Sequence, residues 1–235
     1  MELNLDKANK FAKMAGLAYK DSKASKEYRK LGYTTHRFLE EDGAQCHIVW
    51  NKEEVAICFR GTEPSELSDV LADLNAIPKK SMVDGWVHSG FRGELDKLYP
   101  KVIDIINMLE GQKLYICGHS LGAAMATICT ARLPQTEELY TFGSPRAGTR
   151  SFVKSIKTKH WRFVNNNDIV TAVPLALMGY KHHGNQIYIN HYGKIRKMTL
   201  WQRIKDKLRG YKSGALDGAA DHSMDNYINY TIKED

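Results

Sequence analysis

No run of the chain approaches the ~20 consecutive apolar residues that a bilayer-spanning helix requires, so no membrane span is expected. The first residues, Met1 to Lys7, lack a basic stretch followed by an apolar run, so no secretory signal is expected there. No Pro-, Gly- or Ser-rich linker and no internal repeat divides the 235 residues, and one domain over 1–235 is expected. Cysteine is scarce. Cys46, Cys58, Cys117 and Cys129 form no CxxC pair, and no His/Cys spacing fits a zinc site. A disulfide scaffold is therefore excluded, and neither metal nor cofactor is expected. Buried free thiols are the expectation, with a Cys46–Cys58 bridge across a hairpin left open.

What is present is the composition of an ordinary globular protein, 43% hydrophobic and 26% charged. The net charge of +7 is concentrated. Between Lys194 and Lys212 stand eight basic residues and one acid, Asp206, so that segment alone carries the whole excess. Within it, Trp201, Ile204 and Leu208 share one helical face. Two outcomes are open: a basic amphipathic helix lying on an anionic lipid surface, or a surface helix with Trp201 docked in the core. No nucleic-acid recognition motif accompanies the charge, so no nucleic acid is expected as a partner.

Apolar spacing predicts a helix from about Asp6 to Tyr19, then strands at Arg37–Leu39, Cys46–Trp50 and Val55–Phe59 separated by polar turns. Beyond residue 55, helices and strands alternate. Helices are expected at 65–75, 93–109 and 121–132. Strands are expected at 113–117, 139–142, 161–164 and 187–190. That order implies an α/β fold: a mainly parallel sheet with antiparallel N-terminal edge strands and helices on both faces.

Gly118-His119-Ser120-Leu121-Gly122 lies between a predicted strand and a predicted helix, the context a nucleophile turn requires. Such a turn is tight, so its neighbours must be small, and Ala123 and Ala124 follow. A serine nucleophile needs a base, and the base needs an orienting acid. In the α/β-hydrolase order these follow as acid, then histidine. Asp168, just past the strand at 161–164, is the candidate acid. Asp221 and Asp225 read better as a helix cap and a solvated side chain. Of His182, His183, His191 and His222, the last stands in a Gly-rich stretch that can carry it back over the sheet edge. His119 reads as packing and His88 as a pocket-lining or structural residue. Two backbone donors must face the developing oxyanion. Leu121, directly after the nucleophile, is one candidate, and Thr62, in Arg60-Gly61-Thr62 at the end of a strand, is the other.

Phe59-Arg60-Gly61-Thr62, Ala72-Asp73-Leu74, Val87-His88-Ser89-Gly90-Phe91, the Ser120 turn, Thr141-Phe142-Gly143-Ser144-Pro145-Arg146, Asn167-Asp168-Ile169-Val170 and Asp221-His222 follow one another in order. In that order the chain resembles the fungal-type (class 3) lipase family of the α/β-hydrolase superfamily, from about residue 10 to residue 230. The resemblance implies a triad of Ser120, Asp168 and His222, an oxyanion hole at Thr62 and Leu121, and a lid at about 63–80. Ala123, where many members carry a further glycine, is a departure small enough to leave the turn intact. The apolar stripe Leu67, Val70, Leu71 and Leu74, with Ile77 after it, suits a lid that covers an apolar pocket when closed and meets lipid when open. The expected activity is hydrolysis of acylglycerol-type lipid esters at an interface. Phospholipase and feruloyl-type esterase remain as alternatives on the same site, and a non-catalytic lipid-binding module of the same fold is the reading from another class.

Overall fold

The computed structural model describes residues 2–63, 77–212 and 220–232. The chain opens with α1 (Leu5–Leu17) and α2 (Ser25–Lys30), then a meander of β1 (Thr35–Glu41), β2 (Ala44–Trp50) and β3 (Glu54–Phe59). After the short strands β4 (Pro78–Lys80) and β5 (Trp86–His88) comes α3 (Ser89–Asn107). The central motif is β6 (Lys113–His119) running into α4 (Leu121–Arg132), then β7 (Thr136–Phe142). Then follow β8 (Gly148–Thr149), α5 (Arg150–Ser155), β9 (Lys159–Asn165), β10 (Tyr180–Lys181) and β11 (Asn185–Ile189). The described chain ends with α6 (Leu200–Lys212) and α7 (Met224–Ile232).

The seven-stranded sheet has the order β1-β2-β3-β6-β7-β9-β11. β1, β2 and β3 pair antiparallel, and every later neighbour in this sheet is parallel. The expected mainly parallel sheet with antiparallel edge strands is what forms. A second sheet, β10-β8-β5-β4, is built from strands of two or three residues. Sequence periodicity does not reveal strands that short, and neither they, α2 nor α5 was expected.

Helices cover both faces of the large sheet. On one face, Phe91, Leu95, Leu98 and Val102 of α3 pack with Ile48, Ile57 and Ile116 from the strands. On the other, Ala8, Phe11, Ala12 and Ala15 form the buried stripe of α1, at i, i+3, i+4 and i+7. Phe11 stacks on Tyr140 of β7 at 4.5 Å between ring centroids. Burying each such large side chain contributes roughly 1.5–3 kcal/mol. Strand alternation also settles the thiols. Cys46 belongs to the first core and Cys58 to the second, on opposite faces of the sheet, and all four cysteines are free.

The last helix docks on the first. Asn9 donates from Nδ2 to Ile228 O at 3.2 Å and to Thr231 Oγ1 at 3.0 Å. Tyr227 of α7 is fully buried beside α1 and the strands. This docking fixes the position of residue 222, two residues ahead of α7.

The buried titratable groups make the fold acid-sensitive. Burial, together with the charge of His36, lowers His47 to about 3. Burial, with Arg162 nearby, lowers His182 to about 3. Burial would raise Glu138, but hydrogen bonds from Lys7, Tyr140 and Lys159 outweigh it and bring the carboxyl down to about 2. Below pH ~6.5 the unfolded chain takes up histidine protons that the folded chain refuses, so stability falls as pH falls. The ceiling is about 1.4 kcal/mol per pH unit for each such histidine. Glu138 adds to the loss between its ordinary 4.5 and about 2. Thermal melting from pH 7 to pH 4 should show Tm dropping from pH ~6.5 downward, less steeply in His47→Gln. A Tm that stays flat between pH 7 and 5 contradicts this.

Candidate active site

Ser120 connects β6 to α4 with φ 56° and ψ −129°, a backbone conformation that L-residues rarely adopt. Its N–H donates to Phe142 O at 3.1 Å, and its carbonyl accepts from Ala123 N at 3.0 Å, so bonds on both sides hold the turn. Gly122 makes the approach to the neighbouring strand possible: a Cβ there would overlap the Phe59 carbonyl and the Arg60 backbone. The turn places Leu121 first in α4, where no intrahelical acceptor precedes its N–H.

The loop after β3 runs against this turn. A Cβ on Gly61 would stand 2.6 Å from His119 O and 3.0 Å from Ser120 Cβ, so Gly61, directly ahead of Thr62, lies against the serine. Arg60 anchors the loop by donating to Asp21 Oδ1 at 2.8 Å and to Gln45 and Glu63.

Asp168 follows β9 and is buried. Its Oδ1 accepts from Val170 N at 2.9 Å. Its Oδ2 stands 2.8 Å from His222 Nδ1 and accepts the Tyr227 hydroxyl at 2.6 Å. A carboxylate only accepts, so Nδ1 carries the proton and Nε2 is the basic nitrogen. That Nε2 is buried and has no hydrogen-bond partner. Gly143, at φ +59°, leaves the space this pair occupies: a Cβ there would stand 2.7 Å from the His222 ring and 2.8 Å from Asp168 Oδ2. Since Phe142 O binds the Ser120 amide, the same short stretch touches both the serine turn and the His–Asp pair.

His119 does more than pack. Its Nε2 lies 2.8 Å from His222 O, and its Nδ1 lies 2.7 Å from the Tyr19 hydroxyl. The carbonyl requires Nε2–H, so the tyrosine donates to Nδ1 and the ring is neutral. Burial, followed by the charge of His222, lowers its pKa in agreement. The His119 and His222 rings stack with centroids 4.4 Å apart. His119 therefore holds both the backbone and the ring of His222.

Beside these residues lies a cavity of about 640 Å³. His222 and Thr62 are at its wall, and Leu17, Leu31, Met224 and Ile228 supply apolar surface from the N-terminal helices and α7. None of these four apolar residues stood out in the sequence. Leu17 ends α1, Leu31 follows α2, and Met224 and Ile228 belong to α7, and the contact of α7 with α1 joins residues more than 200 positions apart.

The expected site residues divide into three groups. Asp168 and His222 are hydrogen-bonded, the stretch that touches them also binds the Ser120 amide, Leu121 follows Ser120 directly, and Thr62 shares a cavity wall with His222. His88 does not join them: buried at the start of α3, it accepts from Phe91 N through Nδ1 at 3.4 Å and stacks on the Phe91 ring. The fold uses it as a helix cap, because an imidazole nitrogen can satisfy a first-turn amide, and it is absent from the walls of the 640 Å³ cavity that His222 lines. Of the expected lid stripe, Ile77 is exposed, while Leu67, Val70, Leu71 and Leu74 lie outside the described residues. Asp221 is held in place, with its carboxylate accepting from Asn167 N at 3.0 Å. Among the described residues no group of His, Cys, Asp and Glu is arranged to hold a metal ion.

Residues 56–178, just over half of the chain, match the family model described as Lipase (class 3). The toxin TseL of Vibrio cholerae is 30% identical over 249 residues, covering 84% of this chain and 38% of the toxin. A lipase from Rhizomucor miehei is 33% identical over 189 residues, covering 73% of this chain and 50% of the lipase. The chain thus spans half or less of the length of these curated relatives. Among solved structures, a triacylglycerol lipase whose catalytic centre is a serine protease triad aligns with a TM-score of 0.66 at 25% identity, over 78% of this chain and 79% of that one. With its strand order and its serine between β6 and α4, the chain belongs to the class 3 lipase family and has the α/β-hydrolase fold.

Proposed function

We propose that this protein is a carboxylic ester hydrolase that cleaves acylglycerol-type lipid esters through an acyl-enzyme on Ser120. The observation that carries the reading is the bare, buried Nε2 of His222, backed by Asp168, at the wall of an apolar cavity beside a serine in a strained turn. Ser120 Oγ attacks the ester carbonyl while His222 Nε2 takes its proton. Asp168 stabilises the resulting imidazolium. The amides of Leu121 and Thr62 face the tetrahedral oxyanion. His222 then protonates the leaving alcohol. A water molecule, deprotonated by the same nitrogen, releases the fatty acid and restores Ser120. Leu17, Leu31, Met224 and Ile228 offer the acyl chain an apolar wall.

A serine-directed alkyl phosphonate tests the site directly. One covalent adduct per chain is expected, on Ser120, with parallel loss of ester hydrolysis. An adduct on another serine, or hydrolysis that survives full labelling, overturns the proposal.

The interface reading draws on two surfaces. In the segment directly after Asp168, Ile169, Leu175, Leu177 and Met178 are exposed, with Leu177 at 98%. In α6, Trp201, Ile204 and Leu208 also face solvent, Trp201 at 74%. Docking of Trp201 in the core is thereby excluded. The helix is anchored instead by its one acid: Asp206 is buried and accepts from the Tyr188 hydroxyl at 2.9 Å and from His191 N at 3.0 Å. Asp206 lies opposite the apolar trio, so anchoring turns that trio and its flanking lysines outward, an arrangement suited to an anionic lipid surface. Sedimentation with vesicles is expected to show binding to anionic but not zwitterionic lipid. Binding should weaken in high salt and in Trp201→Ala. Equal partition of the wild type into both kinds of vesicle contradicts the reading.

A further inference from the structure

A second, much smaller cavity lies between β9 and the stretch at 181–183. Its walls include Ser144, Lys181 and His182, with His160 and Arg162 from β9. It contains no carboxylate among the described lining residues. Arg162 is 7% exposed, and its Nε is sealed without a hydrogen-bond partner. No ion pair to this guanidinium forms among the described residues. A buried cation without compensation is costly in any fold. Burial lowers the Arg162 pKa to about 10; Tyr227 opposes this in part, while the like charges of Arg146 and Arg203 add to it.

The neighbouring histidines do not relieve it. Thr141 Oγ1 lies 2.7 Å from His160 Nε2, and His160 Nδ1 lies 3.1 Å from His183 Nδ1. His183 in turn bonds the Ile156 backbone. With the hydroxyl donating to His160, one proton per ring satisfies this chain. His160 and His183 are therefore neutral and occupied with each other. His182 lies 2.9 Å from Thr171 O, to which its Nε2–H donates. Arg146 donates to the carbonyls of Ala172 and Pro174. These groups fasten the stretch after Asp168, and none of them supplies the missing negative charge.

The cavity has about 10 Å³ of free space, room for one particle the size of a water molecule. Water fits but leaves the guanidinium uncompensated, whereas a polyatomic anion such as phosphate is too large. We propose that this cavity is a binding site for one monatomic anion, of the chloride class, paired with Arg162. The ion neutralises the buried cation beside His182, the lining residue that bonds Thr171 O three positions after Asp168. The site is separate from the cavity beside His222 and takes no part in ester cleavage.

Two measurements on the full chain test this. Crystals soaked in bromide are expected to show an anomalous peak against the Arg162 guanidinium. At constant ionic strength, the wild-type Tm is expected to be a few degrees higher in chloride than in gluconate, which is too bulky to enter, because a ligand that binds only the folded chain stabilises it. Arg162→Gln should lose that difference. Absence of the bromide peak in wild-type crystals overturns the proposal, as does a chloride effect of equal size in Arg162→Gln. If the variant does not fold, the wild-type bromide experiment decides alone.

Discussion

Ser120→Ala is expected to lower kcat for a p-nitrophenyl ester by on the order of 10⁵–10⁶-fold, the loss that follows when the nucleophile of a catalytic triad is removed. The fold should tolerate the change. The turn is held by backbone bonds, Ser120 N to Phe142 O and Ala123 N to Ser120 O, which alanine preserves. Alanine also adds no atom to a site where serine already fits at φ 56°. Tm should therefore stay within about 2 °C of the wild type. Unchanged kcat in a folded Ser120→Ala protein would remove the hydrolytic assignment from this site. A residual rate above the uncatalysed one is still expected, because the oxyanion donors and the apolar wall remain.

Asp168→Asn should cost about 10⁴-fold in kcat with little change in KM. The reason is the direction of hydrogen bonds, not shape. Asp168 Oδ2 faces two donors, His222 Nδ1–H and the Tyr227 hydroxyl, while Oδ1 faces a third, Val170 N–H. An asparagine has one accepting oxygen and one donating nitrogen, so in either orientation an NH₂ points at a donor. If the NH₂ faces His222, the ring must present a bare Nδ1 and carry its proton on Nε2, where it cannot accept one from Ser120. Tyr227→Phe removes one donor and leaves the His222 bond in place, so its loss should be far smaller. Steady-state kinetics of both variants on one soluble ester check this. Equal losses in the two would show that the geometry of α7, and not the charge of Asp168, sets the rate.

Much of this architecture is readable from residue order. The strand–Gly118-x-Ser120-x-Gly122–helix pattern, Asp168 just beyond a strand and His222 near the end of the chain mark three points that the parallel sheet brings to one rim. Local pattern fails where the determinant is contact between distant segments. His88 shows this: its type left pocket-lining and structural roles open, and its position at the start of α3 makes it a cap. His119 shows the reverse, since its two partners, Tyr19 and the His222 backbone, are 100 and 103 positions away. The apolar wall of Leu17, Leu31, Met224 and Ile228 depends on the docking of α7 near α1, which no periodicity within either helix announces. Trp201 faces solvent because Asp206, the isolated acid in a basic run, is the residue that fold contacts draw inward.

The docking of α7 on α1 also bears on protein synthesis. Asn9 leaves the ribosome 219 positions ahead of its partner Ile228. Until that partner arrives, a nascent chain can form the sheet and the Ser120 turn, yet it lacks the proposed base. A partly made chain would carry an inert serine, and so would one clipped ahead of residue 222. The proposed hydrolytic competence would then begin only when α7 closes on α1, so translation itself would time the onset of activity.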